Sequence, residues 1–212
     1  MAFFSDVEIK KRFKELFPYE KDGIDENRLQ GSSYELTLGD EVFISSEKIA
    51  KKLTFEDEIV KIAPGDFAIL ITKEYIRIPG DMMAFISIKL KYKNMGLVNI
   101  SGFHVDPGFR GCLTFSVYNA GPSTITIRRG DPVFLIFFTS LTDPAEKIYD
   151  GSRISQRQIS TDDMIRISGI SVSPYELEKR VGKLETIMKV YLPLLASFLT
   201  GLLIWALKFK GS

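Results

Sequence analysis

Residues 105–121, VDPGFRGCLTFSVYNAG, decide the fold of this chain. Asp106-Pro107-Gly108 is a turn signal, because proline fixes one backbone torsion and glycine tolerates the conformations that other residues avoid. The segment LTFSVYN that follows is rich in β-branched and aromatic residues, which favour strands, and Asn119-Ala120-Gly121 marks a second turn. The stretch therefore predicts a turn, a strand and a second turn.

The same alternation of strand-like runs and turn signals extends from about residue 31 to residue 141. The further runs are YELTL, DFAILIT, AFISIKL, STITI and VFLIFF. The further turn signals are Pro64-Gly65-Asp66, Pro79-Gly80-Asp81, Asn119–Pro122 and Arg129–Pro132. Because no helical pattern interrupts them, we expect an antiparallel sandwich or barrel and a mainly β domain over residues 24–150.

These segments, in this order, resemble the dCTP deaminase branch of the trimeric dUTPase superfamily. The resemblance rests on GSSYELTLGD at 31–40, on the Val105–Gly111 hairpin and on Tyr118–Gly121, and it covers most of residues 24 to 141. It implies a dUTPase-like distorted jelly roll (β-clip) and a homotrimer. It also implies sites for a pyrimidine deoxynucleoside triphosphate where subunits meet.

Several positions that carry chemistry in that family differ in this chain. The family segment Gly-Arg-Ser-Ser-Leu-Ala-Arg, whose arginine and serines hold phosphate, corresponds here to Ile88–Asn94, IKLKYKN. The acid–base glutamate of the deaminases falls at Ser116, whose hydroxyl has no pKa near neutrality. The glycine-rich closing motif of dUTPases is absent. Tyr149 and Gly151 are similar to the deaminase tail, but Ser152 stands in place of its lysine.

Asp106 is the candidate catalytic residue. It matches the carboxylate with which dUTP diphosphatases activate water on a nucleotide bound with Mg²⁺, so magnesium would enter with the nucleotide and no intrinsic cofactor is expected. A structural role competes, because an aspartate before Pro-Gly often caps its own turn. Cys112 and His104 are the single cysteine and histidine, which excludes an all-protein Cys/His zinc site, and we predict no metal site.

The candidate nucleotide-binding residues are Lys89, Lys91, Asn94, His104 and Asp106. On a strand, alternate lysines from Lys89 to Lys93 would line one face, where they could hold a triphosphate or form an ordinary solvated surface. His104 could assist a site at a subunit boundary or make a single structural hydrogen bond. Cys112 is expected to be a small buried apolar residue.

The N-terminal residues 1–20 predict a short amphipathic helix. Ser5 and Glu8 form a capping box, and Ile9, Phe13 and Leu16 recur at helical spacing. The helix is expected to pack on its own domain, with a lipid surface as the alternative. Charged residues interrupt the segment too often for a signal peptide, so we expect the β domain to be cytoplasmic.

The C-terminal part predicts a linker over 151–172, a coiled-coil-like stalk over 173–189 and a transmembrane helix over 190–207. Roughly 18 uncharged residues span about 27 Å as a helix, close to the bilayer core, and lysines flank both ends. Ser173, Pro174 and Glu176 signal the stalk's start. The apolar positions form a heptad seam of Leu177, Val181, Leu184, Met188, Tyr191 and Leu195. A lone amphipathic stalk is the alternative.

The charge balance and the motifs together leave three hypotheses for function. The chain has 28 basic and 27 acidic residues, so no nucleic-acid partner is expected. The preferred hypothesis is a single-pass, membrane-tethered, trimeric module that has lost the family's catalytic and phosphate-binding residues and acts as a nucleotide sensor or scaffold. The alternatives are an active dCTP deaminase or dUTP diphosphatase, and a membrane-associated structural protein that binds no nucleotide.

Overall fold

The computed structural model describes residues 2–55, 57–167 and 174–210 of the 212, the side chains of 174–176, 206 and 208–210 excepted. The chain divides into two compact units, Met1–Ser171 and Val172–Ser212, which are treated separately below.

The first unit is a mainly β domain with short helices. Its helices are α1 (Asp6–Leu16), α2 (Leu90–Asn94) and α3 (Thr161–Ile167), with a 3₁₀ turn at Glu26–Arg28. Its strands are β1 (Leu29–Gln30), β2 (Ser33–Ile44), β3 (Ala50–Lys52), β4 (Ile59–Ile62), β5 (Phe67–Arg77), β6 (Met82–Ile88), β7 (Leu97–Asn99), β8 (His104–Val105), β9 (Arg110–Asn119), β10 (Ile125–Arg128) and β11 (Pro132–Ser140).

The strands form one large curled antiparallel sheet in the order β7-β9-β5-β2-β11-β6-β8, beside a two-stranded β10-β4 sheet. The long strand β2 joins the two wings, because Tyr34–Thr37 pairs with β11 whereas Leu38–Ile44 pairs with β5. Phe115 of β9 stacks on Phe134 of β11 with ring centroids 3.9 Å apart, so the two wings face each other across the core. The predicted mainly β fold is confirmed.

Helix α1 closes one side of this core. Ile9, Phe13 and Leu16 are buried, and Phe13 packs edge-on against Tyr34 of β2 at 5.4 Å between centroids. The prediction that this helix packs on its own domain is therefore confirmed. Ser5 is the N-cap residue as predicted, but its side chain makes no capping hydrogen bond, and its carbonyl accepts the Ile9 N–H instead.

The predicted strand-like runs all lie in strands, with one correction. The AFISIKL run ends as a strand at Ile88, and Leu90–Asn94 forms helix α2 with Lys89 as its N-cap. The prediction that no helix interrupts the β domain was therefore wrong. The lysines from Lys89 to Lys93 do not line one face of a strand.

The segment predicted as a linker over 151–172 is partly ordered against the β domain. Gln156 forms a parallel bridge with Gly111 of β9, and α3 follows at Thr161–Ile167. Ile159 is buried in a small second core with Phe43 and Ile69, and Met164 packs against it. These contacts cover the outer face of β5 and β9.

The second unit is helical and consists of α4 (Pro174–Thr186), a π turn (Ile187–Tyr191) and α5 (Leu192–Lys210). A helix beginning at Pro174 agrees with the predicted stalk, whereas the cap residue Ser173 lies outside the described residues. Among the described residues, the stretch Leu177–Trp205 is long and apolar enough to cross a membrane.

The predicted heptad seam does not run unbroken from Leu177 to Leu195. At the π turn the Leu192 N–H donates to the Ile187 carbonyl, five residues back. Pro193 follows directly and has no N–H to donate to Lys189, so the α-helical hydrogen-bond pattern cannot continue there. A π turn holds an extra residue and rotates the apolar positions below it out of phase with those above.

Candidate functional site

The Val105–Gly111 hairpin is held by backbone hydrogen bonds at both ends. His104 and Val105 pair with Phe85 and Ala84 of β6. The Phe109 N–H donates to the Asp106 carbonyl at 3.2 Å, and the Gly108 N–H donates to the Ile78 carbonyl at 2.8 Å. Gly108 has φ +86°, which glycine adopts without strain.

A tail segment from Ile148 to Gln156 lies along this hairpin. The Tyr149 N–H donates to the Pro107 carbonyl and the Ser155 N–H to the Arg110 carbonyl, both at 2.7 Å. Gln156 is tied twice to Cys112, since its carbonyl accepts the Cys112 N–H at 2.9 Å and its side-chain amide donates to the Cys112 carbonyl at 2.8 Å. The tail is therefore anchored mainly by backbone groups.

Hairpin and tail border an open cavity of about 160 Å³ with a mixed polar and apolar lining. His104 and Asp106 enter it from the hairpin, and Tyr149, Arg153 and Gln156 enter it from the tail. The His104 Nε2 atom lies 3.4 Å from Asp106 Oδ1, and about half of each side chain is exposed. Arg153 is held at the rim by Asp163, at 2.8 Å.

The contacts of Asp106 bear on its two predicted roles. Among the described residues its carboxylate contacts His104, and no backbone N–H of its own turn donates to it. The turn is closed by the Asp106 carbonyl instead. A carboxylate beside an imidazole can orient the ring and accept a proton from water, so this pair has the chemistry of a general base.

The lysines predicted to hold phosphate lie elsewhere in the chain. Lys89 Nζ is 2.5 Å from the carboxylate of the buried Glu35 on β2. Lys91 lies over the Tyr92 ring at 5.2 Å, and Asn94 ends α2. Lys89 follows Phe85, the partner of His104, by four residues, or roughly 13 Å along an extended strand. One copy of the chain therefore does not bring Lys89, Lys91 and Asn94 together with His104 and Asp106.

Helix α2 is positioned by the turn residues around it. Tyr92 is buried beneath the helix, and burial raises its pKa to about 12, with the Asp131 carboxylate beside it adding to the shift. Gly96, at φ +98°, packs so closely on the next turn that an added Cβ would lie 2.3 Å from the Gly121 nitrogen. The Asn119 side chain donates to the Ile62 and Ser123 carbonyls and accepts the Gly121 N–H at 2.9 to 3.0 Å.

Ser116 and Cys112 lie on β9. Ser116 is partly buried, and its carbonyl accepts the Ile100 N–H at 2.8 Å from the loop that leads to the hairpin. Cys112 is buried as predicted, and burial raises the pKa of its thiol to about 11, which disfavours the reactive thiolate.

Sequence reasoning missed Arg153 and Gln156 as residues of this cavity. Tyr149 had been matched to the deaminase tail, so continuing that match along the tail was the available signal. In the described part of the chain, no group of three His, Cys, Asp or Glu side chains converges to hold a metal ion.

Comparison with known proteins assigns this architecture. The dCTP deaminase-like family profile matches residues 3–141, well over half of the chain. The chain belongs to the dCTP deaminase-like family. A relative from Methanobrevibacter smithii named "dCTP deaminase, dUMP-forming" is 30% identical over 170 residues, which cover 70% of this chain and 86% of that protein. A dCTP deaminase from Pyrococcus horikoshii is 32% identical over 127 residues, 60% of this chain and 79% of that one.

A solved structure supports the same fold. The 2'-deoxycytidine 5'-triphosphate deaminase of Agrobacterium tumefaciens superimposes with a TM-score of 0.51 at 18% sequence identity. The match covers 65% of this chain and 48% of that one, so this chain spans about half the length of that structure. At 18% identity this likeness shows only that the dCTP deaminase-like domain has the same fold.

Proposed function

We propose that this chain is a membrane-tethered member of the dCTP deaminase-like family that binds a pyrimidine deoxynucleoside triphosphate as a sensor or scaffold and does not deaminate it. The observation that carries the proposal is Ser116. It stands where the resemblance places the glutamate that moves protons between water and the leaving amine, and a serine hydroxyl cannot do this unaided near neutral pH.

The phosphate side of the site supports the same proposal. The two family serines correspond to Leu90, whose side chain is 69% exposed, and to Lys91. Lys89 is already paired with Glu35 at 2.5 Å, so a phosphate must compete with a buried carboxylate for this ammonium group. Such a site still attracts a triphosphate through net positive charge, but it lacks the hydroxyl donors that orient one.

A homotrimer would bring the separated parts of the site together. Within one chain Lys89 follows Phe85, the partner of His104, by roughly 13 Å of extended strand, so a neighbouring copy could supply the missing half. An exposed aromatic row supports self-association. Phe3 and Phe103 are 58% and 64% exposed, and both lie next to Phe85, at 5.7 and 6.0 Å between ring centroids. Exposed apolar rows of this kind are typical of protein interfaces.

The membrane tether rests on the second unit. The stretch Leu177–Trp205 has the length and composition of a single crossing, and Lys189 stands just before its uncharged part. With the tail inserted from the cytoplasmic side, the β domain would remain in the cytoplasm. A soluble supply of pyrimidine deoxynucleotides would then be sensed at the membrane surface.

A working enzyme is the second candidate, and one observation favours it. Asp106 leaves its turn uncapped and lies beside His104 with about half of its side chain exposed, where it could activate water on a nucleotide bound with magnesium. In that case Mg²⁺ would enter with the phosphates.

Turnover and binding assays on the full chain in detergent micelles separate these candidates. We expect neither ammonia from dCTP nor pyrophosphate from dUTP with Mg²⁺, and Ser116→Glu should restore some ammonia release. Turnover by the native chain that Asp106→Asn abolishes would establish the enzyme instead.

Calorimetric titration then tests binding itself. Heat on adding dCTP or dUTP should be lost in Lys89→Ala/Lys91→Ala and retained in Lys14→Ala/Lys21→Ala, which removes the same charge outside the site. If the native chain gives no heat, the remaining hypothesis is a structural protein that binds no nucleotide. Light scattering that gives a monomeric mass would refute the trimer.

A further inference from the structure

A second cavity lies between two irregular strand pairings, and it shares no lining residue with the hairpin cavity. The pairing of β2 with β5 shifts register between Leu38 and Val42, and the pairing of β5 with β9 shifts between Ile71 and Tyr75. The space between these β-bulges is a cavity of about 290 Å³, lined by Asp40, Glu41, Lys52, Lys73, Arg129 and Arg157 among others. We call it the bulge pocket.

The backbone around the bulge pocket is tightly fixed. A Cβ added to Gly39 would lie 2.9 Å from the Thr72 carbonyl carbon, so glycine is required for the two strands to approach. The Thr72 hydroxyl donates to the Glu74 carbonyl at 3.0 Å and accepts the Leu113 N–H at 2.9 Å. Bulges that redirect side chains recur beside binding sites.

One of these bulges turns Lys73 toward the pocket. Its neighbour Glu74 is fully buried, where it pairs with Arg28 and accepts the Thr37 N–H at 2.9 Å. Lys73 is exposed and lines the pocket.

Basic side chains outnumber acidic ones in the lining of the pocket. Lys52, Lys73, Arg129 and Arg157 face two carboxylates, and one of these, Glu41, already accepts the Ile159 N–H at 2.6 Å. Across the part of the chain that the structure describes, none of the four cations has a carboxylate oxygen within salt-bridge distance. Four cationic groups without ion-pair partners around one cavity favour an anion as ligand.

Arg157 is preorganised for such a ligand. Its guanidinium lies 4.8 Å from the ring centroids of both Tyr19 and Tyr75. The Tyr75 hydroxyl bonds the Ser155 hydroxyl at 3.4 Å, which helps to fix that ring. A guanidinium held on aromatic faces keeps its N–H donors free for phosphate and loses little entropy on binding it.

We propose that the bulge pocket is a second anion site, which binds a phosphate-bearing ligand independently of the deoxynucleotide site. Its size lies at the lower limit for small-molecule sites and suits a phosphate or diphosphate group better than a whole nucleotide. The group could belong to a soluble phosphate compound or to a phospholipid headgroup. This inference does not depend on the proposed function.

Calorimetry with inorganic pyrophosphate tests the proposal. Every titration uses the full chain in nonionic detergent with the substitutions Lys89→Ala/Lys91→Ala, so that the deoxynucleotide site does not contribute. Binding should weaken at least tenfold in Lys52→Gln/Arg129→Gln. The control Lys51→Gln/Arg128→Gln removes the same charge from the preceding positions, outside the pocket, and should change affinity less than twofold.

Nanodiscs identify the source of the phosphate group. The same chain is placed in nanodiscs of phosphatidylcholine alone or with 20% phosphatidic acid. Equal pyrophosphate binding in both indicates a soluble ligand, whereas loss of binding in the anionic discs indicates that a headgroup already occupies the pocket. No pyrophosphate binding in phosphatidylcholine discs, or equal weakening in the pocket and control variants, would overturn the proposal.

Discussion

Replacing Gly108 by alanine should detach the tail from the hairpin while leaving the β domain folded. An added Cβ at Gly108 would lie 2.8 Å from the Ile148 Cβ and 3.1 Å from the Tyr149 nitrogen. These are the atoms through which the tail approaches. The tail must therefore move, and with it Tyr149, Arg153 and Gln156 leave the cavity.

The size of the effect follows from three contributions. A left-handed backbone at a non-glycine residue costs about 1–2 kcal/mol, of which about 0.4–1 is regained from the less flexible unfolded chain. Losing the Tyr149–Pro107 hydrogen bond costs about 1 kcal/mol, and losing the Phe109–Tyr149 ring contact about 0.5–1. The sum is about 2–3 kcal/mol, which is the expected decrease in the free energy of unfolding.

Hydrogen exchange measured by mass spectrometry on the full chain in detergent shows whether the tail has detached. Peptides covering 145–158 should exchange much faster in Gly108→Ala, and peptides from β5 and β11 should be unchanged. Gly23→Ala is the matched control, because Gly23 has φ +80° but nothing within 4 Å of an added Cβ. If both variants alter exchange over 145–158 equally, or neither does, the proposed tail contact is refuted.

Two further predictions concern stability. Arg12 donates to both oxygens of Asp81 at 3.1 and 3.2 Å, and this hydrogen bonding lowers the pKa of Asp81. Asp81→Asn should therefore lower the melting temperature at pH 7 by an amount equivalent to about 0.2–1 kcal/mol. The difference from the native chain should begin to shrink as pH falls to about 4, where an unfolded aspartate protonates, and should vanish below the lowered pKa of the native carboxylate. Asn119→Leu should cost about 2–4 kcal/mol in urea unfolding, because this buried side chain loses three hydrogen bonds. A loss below about 1 kcal/mol would contradict the anchoring role of this side chain.

The β domain could be predicted from the sequence because its elements depend on local patterns. Strands such as LTFSVYN and VFLIFF combine β-forming residues with turn signals at both ends, and the structure places each of them in a strand. Helix α2 was missed because IKLKYKN alternates apolar and charged residues as a strand does. In this segment tertiary packing favours the helix, because Tyr92 is buried and Gly96 lies in close contact with Gly121.

The site was harder to predict than the fold. Asp106 was proposed because it matches a family position within a recognisable turn, and His104 because it stands beside Asp106. Arg153 and Gln156 were missed, since the segment GSRISQRQ has no apolar periodicity and its attachment to β9 uses backbone groups that leave no trace in a side-chain pattern. The bulge pocket could not be predicted from the sequence either, because it depends on two register shifts between strands that are distant along the chain.

The π turn changes how the tails of a trimer would meet. Above it, Leu177, Val181 and Leu184 follow the heptad spacing. One extra residue in a turn rotates the helix below by roughly 100°, so the same face is continued by the positions one residue later. These positions are Leu192, Ala196, Leu199 and Leu203. Tails that associate along the stalk would therefore meet inside the uncharged segment through Ala196 and Leu199, and not through Leu195, and Ala196 is small enough for close approach of helices in lipid.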